Sequence, residues 1–316
     1  MPLSTDSSIV SVSEQLVAQL DAIFGVHPTF RPAHARGVLV SGTFVPTAEA
    51  ANLSSAPHFA SPTPITARFS SSTGIPLIPD TNPNANPRGL GLRFNLGHRV
   101  HTDIIAHSTP GFPVRTGDEF LEFLSAIAAS AKSTASPTPI EAFLASHPAA
   151  LAFVQIPKPS PSSFGREAYF GLTAYKFING EGITRFGRYI IQPDAGVDHL
   201  DEAALQDKSD SFLFDELKER LDAGPITFRL YAQVANDGDV VDDVTVQWPE
   251  DRPRVHLGTL TLTGLVPDND KEQQYIIFDP IPRVPGIEPS ADPLLEVRAA
   301  VYLISGRRHR QDKLEA

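Results

Sequence analysis

Eight stretches of this chain carry the β-branched and aromatic residues that suit a pleated strand, and Gly, Pro and Asn clusters separate most of them. They are Gly37 to Val45, Pro64 to Ser70, Gly89 to Asn95, His101 to His107, Ala168 to Asn179, Ile183 to Gln192, Ile226 to Asn236 and Val255 to Leu265. Turn-rich intervals such as Pro79 to Arg88 (PDTNPNANPR) favour an antiparallel sheet or barrel over alternating strand–helix–strand units. Helical patterns intervene at Val12 to Phe24, at Thr116 to Lys132 with an apolar stripe of Phe120, Leu121, Phe123, Leu124 and Ile127, and at Asp207 to Ala223. The class is therefore α+β with a large β core.

Ser130 to Ser163 is rich in Ser, Pro and Ala but holds a helical pattern at Pro139 to Ser146, so it reads as a surface excursion within one domain spanning 1–316. An N-terminal helix is expected within 1–26 and a C-terminal one over 293–306. The latter is the clearest element: Asp292 is placed to cap it, Pro293 to pre-set its first turn, and Leu294, Leu295, Arg298, Val301 and Tyr302 fall on or near one face.

Charge and composition remove several functions. The balance of 26 Lys+Arg against 37 Asp+Glu, a net −11, opposes binding to nucleic acid or to an anionic membrane face. No apolar run approaches the roughly 20 residues that span a bilayer, and the first ten residues lack the pattern of a secretory leader. Lys313 to Ala316 is no peroxisomal address, so a soluble, cytoplasmic protein is expected. There is no cysteine, which excludes thiolate ligands, disulfides and a cysteine nucleophile; any metal must sit on His, Tyr, Asp or Glu. The only methionine is the first residue, a composition that suits contact with oxidants and that ordinary drift also produces.

Arg298 and Tyr302 are four apart and so neighbours on a helix. A guanidinium one turn away favours the phenolate, a hard anion suited to ferric iron, although a hydrogen-bonded structural Tyr fits the same spacing. His34, in Arg31-Pro-Ala-His34-Ala-Arg-Gly37, precedes the first strand, where a structural role is the commoner one. As a functional group it is suited to pass a proton between two peroxide oxygens. Arg68 and Ser70 close the second strand and point to one side of it.

These pieces together resemble the haem catalases. Arg31-x-x-His34-Ala-x-Gly37, Arg68-Phe69-Ser70, Asp80-Thr81 with Pro87-Arg88-Gly89 and Arg93-Phe94, Phe278-Asp279-Pro280 with Val284-Pro285-Gly286-Ile287 and Pro289-Ser290, and Arg298-x-x-x-Tyr302 follow the family's order. The resemblance implies an eight-stranded antiparallel β-barrel with surrounding helices, haem b buried in it, and Tyr302 as the iron ligand sustained by Arg298. It also implies His34 as acid–base opposite Tyr302, Ser70 holding the other ring nitrogen of His34, and Arg31 and Arg68 on the haem propionates. Phe112 or Phe120 is a candidate to pack on the haem, with plain core packing the commoner role for either; the roles of Arg307, Arg308 and Arg310 stay open.

The stretch Ala106-His107-Ser108-Thr109-Pro110 departs from the family, which carries an asparagine where Ser108 is read to stand. With no C-terminal extension and a doubtful NADPH site, the chain is similar to the small catalase-related peroxidases. That branch is expected to activate hydrogen peroxide or an organic hydroperoxide and to oxidise a small organic substrate. The alternatives are a true catalase, an enzyme that rearranges a fatty-acid hydroperoxide, and a haem-binding or storage protein. A homodimer is expected only from base rates.

Overall fold

The computed structural model describes residues 2–315, with side chains as far as Arg310; the Lys313 to Ala316 tail read above lies outside the described side chains. Eight strands close into a barrel: β1 (Gly37–Pro46), β2 (Thr63–Ser70), β3 (Gly89–Gly97), β4 (Val100–His107), β5 (Tyr169–Phe170), β6 (Thr184–Pro193), β7 (Ile226–Val234) and β8 (Arg254–Leu265). The ladder runs β8–β1–β2–β3–β4–β5–β6–β7, every pair antiparallel, and β7 pairs back onto β8 to close it. Two short strands, Tyr175–Ile178 and Ile287–Pro289, extend the sheet from β6.

A barrel of this size leaves an interior that side chains just fill. Here the filling is aromatic and aliphatic: Phe44, Ile65, Phe69, Leu92, Phe94, Tyr169, Phe228 and Leu260 are all buried in one cluster. Phe69 on β2 reaches Tyr169 on β5 and Phe228 on β7 across the lumen, with ring centroids 5.8 and 6.3 Å away. Because strand side chains alternate, Arg68 and Ser70 then project from the outer wall. That outer wall is covered by helices: α1 (Ser7–Phe24), α2 (Gly117–Ser130) and α3 (Leu294–Glu315).

Asp6 caps α1 by accepting from Ser8 N–H, Thr116 and Glu119 form a reciprocal capping box on α2, and Asp292 Oδ1 accepts from Leu294 N–H at 2.9 Å on α3. Val12, Leu16 and Leu20 of α1 pack with Phe123 and Leu124 of α2 and Val297 of α3 in a second apolar cluster. Further helices lie at Pro139–Ser146, Pro148–Gln155 and Phe212–Ala223. Among the described residues no helix is long and apolar enough to cross a membrane.

Two expectations shift. The stretch Ala168 to Asn179 is not one strand: the chain leaves the ladder after Phe170, where Thr173 turns to accept a hydrogen bond from Arg298, and resumes at Tyr175. The site is also not inside the barrel. The lumen is full, and the free space lies between the outer face of β2–β4 and α3.

Candidate functional site

Strand register builds the first wall of this cavity, whose free interior is about 120 Å³. Ser70 pairs with Gly89 and Gly89 with His107, so the three form one row across β2, β3 and β4, projecting from one face with a gap at the glycine. The His34 ring occupies that gap: a Cβ on Gly89 would lie 2.7 Å from both His34 Nδ1 and Ser70 Oγ. The next row is Arg68, Gly91 and Ile105, and a Cβ on Gly91 would stand 3.1 Å from the Phe278 ring.

His34 is held in the left-handed region at φ 54°, a conformation that costs a non-glycine residue about 1–3 kcal/mol unless its surroundings impose it. They do so here. Its N–H donates to Ser72 O (3.2 Å), its carbonyl accepts from Arg68 Nη2 (3.0 Å), and its Nδ1 lies 3.1 Å from Ser70 Oγ. Nε2 is left to the cavity. Burial, with Arg68 nearby, pushes the His34 imidazole down to about 4, so it is neutral at pH 7 and able to accept a proton.

The opposite wall is α3, where Val301, Tyr302, Ser305 and His309 fall on one stripe facing the cavity. Arg298 Nε lies 3.4 Å from the Tyr302 hydroxyl, and Nη1 donates to Thr173 Oγ1 at 3.2 Å. Burial works to lower the Arg298 guanidinium, but Tyr302 and Tyr175 beside it prevail and hold it above its ordinary value.

One end of the cavity is strongly positive. Arg31 Nη2 donates to the carbonyls of Gln273 and Ile276, both at 2.8 Å, and Arg68 Nε donates to Gln273 Oε1 at 3.0 Å. Neither Arg31, Arg68 nor Arg298 forms an ion pair with a carboxylate among the described residues. Burial, with Arg310 adding to it, lowers Arg31 to about 10, and burial together with Arg31 lowers Arg68 well below its usual value. Buried cations without counter-charges are costly, and an anionic ligand at this end relieves them.

The structure thus brings His34, Ser70, Arg31, Arg68 and Tyr302 to one cavity, with Arg298 behind Tyr302. Ser108 is not among them: its Oγ accepts from Arg88 N–H (2.9 Å) and its own N–H donates to Arg88 O (2.8 Å), which turns it away from the cavity. The neighbouring strand residue, His107, faces the cavity instead. Phe112 also stands off, packing on Phe120 with centroids 5.3 Å apart and lining a much smaller space of about 10 Å³ with His107, Leu172, Val244, Leu294 and Arg298. Arg308 pairs with Asp21 and fastens α3 to α1, while Arg310 donates to the Gln274 and Tyr275 carbonyls.

Sequence reasoning missed His107, His309 and Phe278. The first was legible in principle, since aligning β2, β3 and β4 on Ser70, Gly89 and His107 puts it in the row.

Comparison with known proteins agrees with this architecture. A profile of the family described as Catalase matches residues 28–312. A protein of Synechococcus elongatus named catalase-related peroxidase is 37% identical over 298 residues, which cover 92% of this chain and 87% of that one. One of the same name from Mycolicibacterium paratuberculosis is 33% identical, covering 92% and 93%. The solved structure of catalase A from Saccharomyces cerevisiae superposes with a TM-score of 0.79 at 23% identity over 90% of this chain, a likeness of fold, and the chain spans only 62% of that protein's length.

Proposed function

The chain belongs to the catalase family, and on that premise we propose that it is a haem-dependent peroxidase that activates hydrogen peroxide or an organic hydroperoxide and oxidises a small organic substrate. The observation that carries this reading is the opposition of a Ser70-anchored His34 and an Arg298-paired Tyr302 across one cavity whose end holds two arginines without carboxylate partners.

Those residues fit haem b. Tyr302 supplies a hard oxygen ligand for ferric iron, Arg298 favours its phenolate form, and Arg31 and Arg68 are placed for carboxylates. Bound there, haem would supply the iron and the electrons that cleaving a peroxide bond requires. The protein's share is to position and to move a proton. His34, neutral and fixed through Nδ1, presents Nε2 to take the peroxide proton and return it to the departing oxygen. Leu20, Ile105, Ile276, Phe278 and Val301 exclude water around it. The catalase-related peroxidase name of full-length relatives supports peroxidase over dismutase chemistry.

The test is an absorption spectrum of protein expressed with ample haem, followed by peroxide addition in an oxygen-electrode cell. A ferric phenolate spectrum that changes with little oxygen release supports the proposal; vigorous oxygen release makes the chain a true catalase, and no Soret band refutes the haem site. Tyr302→Phe is expected to abolish that spectrum. His34→Ala is expected to retain it and slow the peroxide reaction about 10²- to 10⁴-fold.

A further inference from the structure

His107 has the makings of a working group and no structural employment. Its ring lines the cavity beside His34, with centroids 6.4 Å apart and planes within 19° of parallel. No described residue hydrogen-bonds either of its ring nitrogens, whereas His34 is tied to Ser70, His309 to the Gln274 carbonyl and His147 to the Phe143 carbonyl. A half-buried imidazole without a protein partner, turned to a cavity, has its donor and acceptor free for whatever fills that cavity.

We propose that His107 is a second catalytic group of the site, which donates a hydrogen bond to the departing oxygen of the peroxide while His34 carries the proton. The proposal rests on the peroxidase reading above. In the step, the hydroperoxide O–H bond breaks and its proton goes to His34. The O–O bond then breaks with its electron pair on the outer oxygen, which takes the proton back from His34 and leaves as water or an alcohol. The retained oxygen is left two electrons short, and a bound haem would supply those two electrons. Charge builds on the outer oxygen before the proton arrives, and a preformed N–H donor aimed at that charge lowers the barrier.

The division of labour follows from the surroundings. The charged and titratable groups around His107 are His34 from the segment before β1 and Arg298 from α3, with the Phe112 ring 6.4 Å away. Burial and those neighbours push His107 down to about 3, so it stays neutral and donates without giving its proton up. Ser70 anchors His34 and leaves His107 unanchored, so the two imidazoles differ in freedom as well as in role.

The experiment compares haem-loaded wild type, His107→Phe and His107→Gln by cyanide titration of the Soret band and by stopped-flow mixing with hydrogen peroxide. Bound cyanide accepts a hydrogen bond from the same side, so its affinity reports the donor without turnover. His107→Phe is expected to weaken cyanide about 10- to 100-fold, the worth of one hydrogen bond to a charged group, and to slow the peroxide reaction by a similar factor. His107→Gln keeps a donor of similar reach and is expected to recover both to within about threefold, because only the hydrogen bond is being restored. Both variants matching wild type, or both failing equally while their Soret bands and Tm match wild type, would overturn the proposal. Wild type with no Soret band would instead sink the haem reading itself.

Discussion

Two arginine clusters sit below the surface of this protein, and the chain treats them differently. Arg88 is fully buried, yet it has Asp80 Oδ1 at 3.6 Å, the Asp80 carbonyl at 2.7 Å, Asn86 Oδ1 at 2.9 Å and Ser71 Oγ at 3.0 Å, and Arg36 shares the same carboxylate. Arg31 and Arg68 have only carbonyl and amide oxygens. The first cluster is closed by the chain's own counter-charge and serves the fold. The second is left open in charge, a cost that an anionic ligand would offset.

The comparison is broken most forcefully at Asp80. Asp80→Ala strands Arg88 without its counter-charge and is expected to destabilise the protein by about 3–5 kcal/mol, read from urea denaturation. A loss below about 1 kcal/mol would mean that Arg88 does not depend on the carboxylate, and the two clusters would cease to differ.

A smaller effect comes from pH. His58 is fully buried among Phe44, Phe59 and Phe94 with neither nitrogen bonded, and burial lowers it to about 3. The unfolded chain takes up a proton below about 6.5 that the folded chain refuses, so stability is full above that pH and drains as pH falls toward 3. His58→Leu is expected to keep about 2 kcal/mol more of the neutral-pH stability at pH 5, read from denaturation curves at the two pH values. Identical acid sensitivity in the variant would place the loss elsewhere.

The smallest effect on folding is expected at the open cluster. Arg68→Met removes a charge that nothing in the protein neutralises and should change the stability of the haem-free chain by less than about 1 kcal/mol, in either direction. The same variant, loaded, should release haem about tenfold faster to an acceptor protein, equivalent to about 1.4 kcal/mol. A large loss of stability with unaltered haem release would reverse the assignment.

How much of this was legible in the sequence depends on the length of the signal. Seven of the eight strand stretches correspond to barrel strands because each carries strand-favouring residues over several positions between punctuating turns, and α3 was announced by Asp292, Pro293 and its apolar face. The stretch Ala168 to Asn179 misled because strand composition persists through Gly171 to Ala174, where tertiary contacts to Tyr189 and Arg298 decide the path. α1 begins at Ser7, earlier than its apolar pattern, since Asp6 caps it through a local hydrogen bond. Pro148–Gln155 went unread as a helix inside a Ser-, Pro- and Ala-rich segment. At the site, Arg298 and Tyr302 follow from helix spacing and Ser70 from strand alternation. The choice between His107 and Ser108 turns on a one-residue register between three strands, which no local pattern reports.

The two walls of the cavity are encoded far apart: His34, Ser70 and His107 lie on one, Gln273, Tyr302 and His309 on the other. A ribosome therefore finishes the first wall well before the codons of the second are translated. The wall before α3 contributes the imidazoles of His34 and His107 and the arginines Arg31 and Arg68, and α3 contributes the phenol of Tyr302. On the proposed haem reading, capture of the cofactor's iron would have to wait for α3, which carries Tyr302.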